Sequence, residues 1–175
     1  MLVHAIIPAR AGSKGVKNKN LKCVKGIPLF KRSINHAISL NKFHKTKIWI
    51  STNINQILTS SIVEENLHIH KRPAHLCGDE VLTVDVIKDI IANYKFSSQD
   101  IILLLQPTSP FRSISEISDS IDLLKKEGDW KSVVSLSEVE GNHPFRMKRL
   151  SSKGECISFI DQGFEDMRPR QLLPK

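Results

Sequence analysis

Val3-His-Ala-Ile-Ile-Pro-Ala-Arg-Ala-Gly-Ser-Lys-Gly-Val-Lys-Asn-Lys-Asn20 is the stretch on which the reading of the whole chain turns. Val3 to Ile7 is a short apolar run that predicts a buried strand. At Pro8 the texture changes to small residues, glycine and cations. Gly12 and Gly15 permit backbone conformations closed to other residues, so that successive N–H groups can turn inward around an anion. Arg10, Lys14, Lys17 and Lys19 add fixed positive charge beside that turn. Such a loop suits a polyphosphate gripped without base-specific contacts, although composition alone also allows a solvated basic turn.

The spacing Gly12-Ser-Lys-Gly15-Val-Lys fits neither the Gly-x4-Gly-Lys-Ser/Thr phosphate loop nor the Gly-x-Gly-x-x-Gly dinucleotide fingerprint. Outward from the loop, strand and helix patterns alternate. Phe30, Ile34, Ala37, Ile38 and Asn41 fall at helical spacing, and Lys47 to Thr52 reads as the second strand. Asn55 to Glu65 predicts a helix carrying Ile57, Leu58, Ile62 and Val63, and Leu67 to His70 a third strand. After the polar loop from Pro73 to Leu82, Thr83 can cap a helix whose core face would be Val84, Ile87, Ile91 and Tyr94. Ile101 to Leu105, unbroken rather than alternating, suits the centre of a parallel sheet. Ser113-Ile-Ser-Glu116 has the capping-box form and opens a helix with Ile114, Ile117, Ile121 and Leu124 on one face. Ser132 to Leu136 gives another strand.

This alternation implies a three-layer α/β fold with a mainly parallel sheet. From Glu138 the pattern changes: Phe145 to Leu150 and Glu155 to Ile160 read as short strands around the turn Ser151-Ser-Lys-Gly154, and Asp161 to Asp166 as a polar loop. A parallel sheet opens its binding crevice at the carboxyl ends of its strands, where Pro8–Gly15, Thr52-Asn53 and Gln106–Arg112 fall.

The 175 residues suffice for one ordinary domain, with 40% hydrophobic and 25% charged residues, as in soluble globular chains. The formal net charge of +8 favours anionic partners, nucleotide or nucleic acid. The cations concentrate in the first fifty and last thirty positions, which speaks against a helix that reads nucleic acid. Cys23, Cys77 and Cys156 show neither a disulfide framework nor zinc-ligand spacing, so a reducing cytoplasm is expected. Neither a signal peptide nor a run long enough to cross a bilayer is apparent.

Ile7-Pro-Ala-Arg-Ala-Gly-Ser-Lys-Gly15, Arg72-Pro-Ala, Leu105-Gln-Pro-Thr-Ser-Pro110 and Pro169-Arg-Gln-Leu-Leu-Pro174, taken in order, resemble the acylneuraminate cytidylyltransferases, or CMP-sialic acid synthetases. The resemblance implies a Rossmann-like nucleotidyltransferase fold over 1–175, with residues 138–168 as a dimerisation excursion. It implies a reaction of CTP with a nonulosonic acid, N-acetylneuraminate first, to give CMP-sugar and pyrophosphate. Legionaminate, pseudaminate and 3-deoxy-octulosonate are the other acids it allows, and a nucleotide-binding module without turnover is the rival outside the enzyme class. It implies a homodimer; cysteine usage, charge distribution and short apolar runs add the expectation of a cytoplasmic chain that binds neither nucleic acid nor membrane.

Residue by residue, the resemblance gives Arg10, Lys14 and Arg170 to the reacting phosphates. It places Arg10, Ala11, Gly12, Ser13, Lys14, Gly15 and Asn20 around the nucleotide, with Arg72 and Val81 to Thr83 on its cytosine and ribose. Gln106, Thr108, Ser109, His143 and Gln171 would face the sugar. Read without the family, Arg72 also fits a strand-end cation, Gln106 a strand cap, and His143 a turn. Asp79 and Glu80 read as an ordinary solvated acidic loop. The family's Mg²⁺ is expected to be held by an Asp-x-Asp element beyond the last residue of this sequence, which suggests a truncated form.

Overall fold

The structure, a computed structural model, describes residues 1–60, 65–126, 131–136, 144 and 147–160. The chain divides into two compact units, Met1–Val133 and Val134–Lys175.

The first unit is built on four parallel strands. These are β1 (Val3–Ala9), β4 (Thr46–Thr52), β5 (Leu67–Lys71) and β6 (Ile101–Leu104), in the spatial order β5-β4-β1-β6. Between β1 and β4, β2 (Cys23–Val24) and β3 (Ile27–Pro28) form a two-residue hairpin, and α1 (Leu29–Leu40) follows. Lys25 and Gly26 both take positive φ at its turn, as a tight hairpin requires. The remaining helices are α2 (Asn55–Leu58), α3 (Thr83–Tyr94) and α4 (Ile114–Lys125).

Side-chain alternation along the strands explains the layering. Ala5, Ile7 and Ala9 of β1 and Ile48 and Ile50 of β4 point to one face, where Phe30, Ile34 and Ala37 of α1 bury against them. Ile117 of α4 packs beside the same cluster. Ile6 and Trp49 point to the other face and meet Val86 and Ile90 of α3. Both faces bury polar side chains. On the α1 side these are Ser33, Thr46 and Thr52; on the α3 side His4, Ser51 and His70 gather beside Trp49. A sheet with helices on both faces is the expected three-layer α/β arrangement.

Several expectations are corrected. Ile101–Leu104 lies at an edge of the described sheet, and β1 and β4 hold its centre. Residues 132–136 carry no strand, and Val134 and Leu136 are exposed. An apolar run becomes a strand only where a neighbouring ladder accepts it, which sequence alone does not show. On α3 the buried positions are Val86 and Ile90, while Val84 and Tyr94 are 46% and 42% exposed. Thr83 does not cap that helix. Leu82 occupies the cap position with no side-chain hydrogen bond, and Thr83 begins the first turn. The helix expected over Asn55–Glu65 is one turn, α2, within the described residues, and Ile62 and Val63 lie outside them. The cap of α4 is as expected, with Ser113 Oγ accepting from the Glu116 N–H at 3.3 Å.

In the second unit, β7 (Lys148–Leu150) and β8 (Cys156–Ser158) pair antiparallel, shorter than the two expected strands but around the same turn. Gly154 takes φ +82 there, and Ser151 Oγ accepts from the N–H groups of Lys153 and Glu155.

Candidate active site

The carboxyl ends of β1, β4, β5 and β6 all open toward one side of the sheet, and the segments leaving them enclose a cavity of about 430 Å³. The β1 loop contributes Pro8, Arg10, Ser13, Lys14, Gly15, Lys19 and Asn20. The segment from β5 to α3 contributes Arg72, Asp79, Val81, Thr83 and Val86, and the segment after β6 contributes Gln106, Pro107 and Thr108.

The loop after β1 is pinned at both ends. Asn53, at the end of β4, accepts from the Ala11 N–H at 2.7 Å. Asn20, almost fully buried, donates from Nδ2 to the Arg10 carbonyl at 2.9 Å. Between these anchors the chain reverses at Gly12, whose φ of +75 strains any residue with a Cβ. Gly15 does not take positive φ, so the freedom expected at both glycines is used only at the first. The Ala11 amide, expected to face phosphate, is already engaged by Asn53. Arg10 folds back on its own loop, donating from Nη1 to the carbonyls of Ala11 and Gly12.

Asp79 corrects a plainer expectation. It is not a solvated loop acid, for its carboxylate bridges Arg10 Nη2 at 2.5 Å and Lys14 Nζ at 2.7 Å. Those hydrogen bonds, Lys14's first and Arg10's second, hold the Asp79 carboxyl below the usual carboxylate range. The described lining therefore carries four cations, Arg10, Lys14, Lys19 and Arg72, against one carboxylate. Arg72 is 7% exposed, and burial together with the nearby Arg10 charge pulls its guanidinium below the ordinary arginine value. It donates from Nε to Ser51 Oγ and from Nη2 to the Ser51 carbonyl, both at 3.1 Å.

Gln106 stands at the opposite wall. Its carbonyl accepts from Arg112 Nη2, its side-chain oxygen lies 3.4 Å from Thr108 Oγ1, and its backbone closes a turn to the Ser109 N–H at 3.1 Å. Arg112 is itself partly buried, which lowers its guanidinium below the ordinary value.

Of the residues expected around a nucleotide and sugar, Arg10, Ser13, Lys14, Gly15, Asn20, Arg72, Val81, Thr83, Gln106 and Thr108 line the one cavity. Ala11, Gly12 and Ser109 do not line it. His143, Arg170 and Gln171 lie outside the described residues, as do 138–143, 145–146 and 161–168 of the expected excursion. Asn53 lies in the crevice, where the sequence placed it; Asp79 is the site residue that sequence reasoning missed, because it sits in the loop between β5 and α3 and nothing local marks its partners on the β1 loop.

Comparison with known proteins bears on this arrangement. A family model described as cytidylyltransferase matches residues 4–150. The N-acylneuraminate cytidylyltransferase of Streptococcus agalactiae serotype III (strain NEM316) is 33% identical over 168 residues, covering 94% of this chain and 40% of that protein. The CMP-N,N'-diacetyllegionaminic acid synthase of Legionella pneumophila is 32% identical over 161 residues, 90% of this chain and 66% of its own length. The chain thus spans about two-fifths of the length of the streptococcal relative. Among solved structures, CMP:2-keto-3-deoxy-manno-octonic acid synthetase complexed with CTP superposes with a TM-score of 0.54 at 17% identity, over 71% of this chain and 48% of that one.

Proposed function

The chain belongs to the cytidylyltransferase family, and on that premise we propose that it joins CTP to a sialic-type nonulosonic acid, N-acetylneuraminate first, releasing pyrophosphate. The observation that carries the proposal is the cavity in which Arg10, Lys14 and Lys19 of the β1 loop meet Arg72 from the end of β5. A triphosphate is the kind of ligand whose charge such a cluster compensates.

In this reading the sugar's anomeric hydroxyl oxygen attacks the α-phosphorus. The bond from that phosphorus to the bridging oxygen breaks, pyrophosphate leaves with the electron pair, and the hydroxyl proton passes to solvent. Arg10 and Lys14 exchange Asp79 for phosphate oxygens and neutralise charge that shifts during transfer. Arg72 presents a fixed, nearly dry guanidinium to the nucleotide. Val81 and Thr83 flank the base and ribose, and Gln106 and Thr108 offer hydrogen bonds to the sugar.

Magnesium belongs to the proposal as the ion that accompanies CTP. The described residues offer it no carboxylate set, because Asp79 is already shared by two cations and no group of three or more His, Cys, Asp and Glu converges among them. No step is therefore routed through the metal. A homodimer and a cytoplasmic site of action complete the proposal. Light scattering of the purified chain tests the former. No described helix is long and apolar enough to cross a membrane.

A second reading, legionaminate as the acceptor, is favoured by the Legionella relative, of which this chain covers 66%. Pyrophosphate release with CTP and Mg²⁺, run against both acids, tests the reading. Release with N-acetylneuraminate supports it, and release with legionaminate alone moves the chain to the second. CTP binding without release from either leaves a nucleotide-binding module.

A further inference from the structure

We propose that Asp89, His70 and Ser51 form a relay that aims the Arg72 guanidinium into the cavity, making His70 and Ser51 positioning residues for the nucleotide reaction, a reading on which this inference rests.

The relay crosses three elements. His70 of β5 and Ser51 of β4 are register partners on the α3 face of the sheet, and Asp89 projects toward them from α3. His70 Nε2 lies 2.8 Å from Asp89 Oδ2, His70 Nδ1 lies 3.0 Å from Ser51 Oγ, and Arg72 Nε donates to the same Oγ at 3.1 Å. An ionised carboxylate only accepts, so the proton of a neutral His70 sits on Nε2. Nδ1 is then the acceptor, and the Ser51 hydroxyl must donate to it. The serine's lone pairs are left facing Arg72 Nε. Every proton in the chain is thus assigned in one direction, from Arg72 through Ser51 and His70 to Asp89.

This matters because Arg72 is a buried cation that no acid among the described residues pairs with, none of their carboxylates lying within 4.0 Å of it. Its recorded side-chain partners are both atoms of Ser51, a neutral residue. A buried guanidinium held this way keeps its charge for a ligand, but its direction is only as fixed as the serine that holds it. Ser51 is wholly buried and His70 almost so, hence neither hydroxyl nor ring turns freely into water. The Arg72 N–H donates to the Thr52 carbonyl at 2.8 Å, which fixes the backbone but not the side chain.

A thermodynamic cycle on the 175-residue chain separates positioning from mere structural support. CTP affinity and thermal melting are measured for wild type, His70→Phe, Arg72→Ala and the double variant. Arg72→Ala and His70→Phe are each expected to weaken CTP binding about tenfold, as loss of a charged hydrogen bond does. The double variant should bind within about twofold of Arg72→Ala alone, because the two act through one group. His70→Asn, which offers an amide oxygen near the place of Nδ1, should recover most of the loss. Should His70→Phe fail to melt cooperatively, Ser51→Ala runs the same cycle. Losses that multiply to about a hundredfold in the double variant overturn the relay alone. So does an Arg72→Ala variant that binds CTP like wild type. A wild-type chain indifferent to CTP overturns the relay and the cytidylyltransferase reading together.

Discussion

Asp79 and Arg10 show how much of a site can rest on one contact. The carboxylate lies between two cations of the β1 loop, where a phosphate oxygen would also be drawn. Asp79→Asn is therefore expected to tighten CTP binding by roughly threefold, since the cations lose an internal competitor. A titration showing weaker binding would instead make Asp79 an organiser of the loop. Arg10→Ala should act oppositely, weakening CTP at least about tenfold while the melting temperature stays within about 2 °C, because a partly exposed ion pair adds little to stability. A large drop in melting temperature would make Arg10 structural. Sequence reading reached Arg10 but not Asp79. An acid in a polar loop carries no local sign of a partner 69 positions away; only the convergence of strand ends supplies it.

At the scale of elements, the strands were easier to read than the helix faces. Ala5–Ile7 and Ile48–Ile50 are apolar at consecutive positions because helices cover both sides of the central strands, and that pattern survives without structural knowledge. Helix α3 is different. Val84, Val86, Ile87, Ile90 and Ile91 fall on one broad apolar stripe, so helical periodicity alone does not say which of them are buried. The choice falls on Val86 and Ile90, and Asp89 is carried inward to His70. The polar α3 face of the sheet makes a half-buried aspartate tolerable there. Helix α4 was legible because its signal is local, a serine three residues before a glutamate. Ser113→Ala should cost about 1 kcal/mol and lower the melting temperature by a few degrees, which calorimetry can measure. No change would mean that the Ser113 cap adds nothing net.

For the whole molecule, the polar layer between sheet and α3 makes stability depend on pH. His4 accepts from Trp49 Nε1 on Nδ1 at 3.0 Å and faces Asp100 with Nε2 at 3.1 Å. Burial holds His4 and His68 of that layer, and His36 on α1 across the sheet, below the ordinary imidazole value of 6.5. The unfolded chain binds more protons than the folded one between those lowered values and 6.5, so stability falls as pH falls through that window. Asp100 adds a second loss under more acid conditions. Hydrogen bonding, first from the Leu2 N–H, holds its carboxyl below 3.8, so its contribution is present above that value and disappears as pH drops further. The urea midpoint should decline from about pH 7.5 to about pH 5.5, with a shallower slope in His4→Asn. A flat profile would show that these rings titrate alike folded and unfolded.

The cavity at the carboxyl edge of the sheet is lined, among the described residues, by four cations and one carboxylate. Calorimetric titration of the chain with CTP, ATP, GTP and UTP in turn tests that cavity most directly. The account predicts saturable binding of CTP, tighter than that of the other three. Equal affinity for all four, or no binding of CTP, would contradict it.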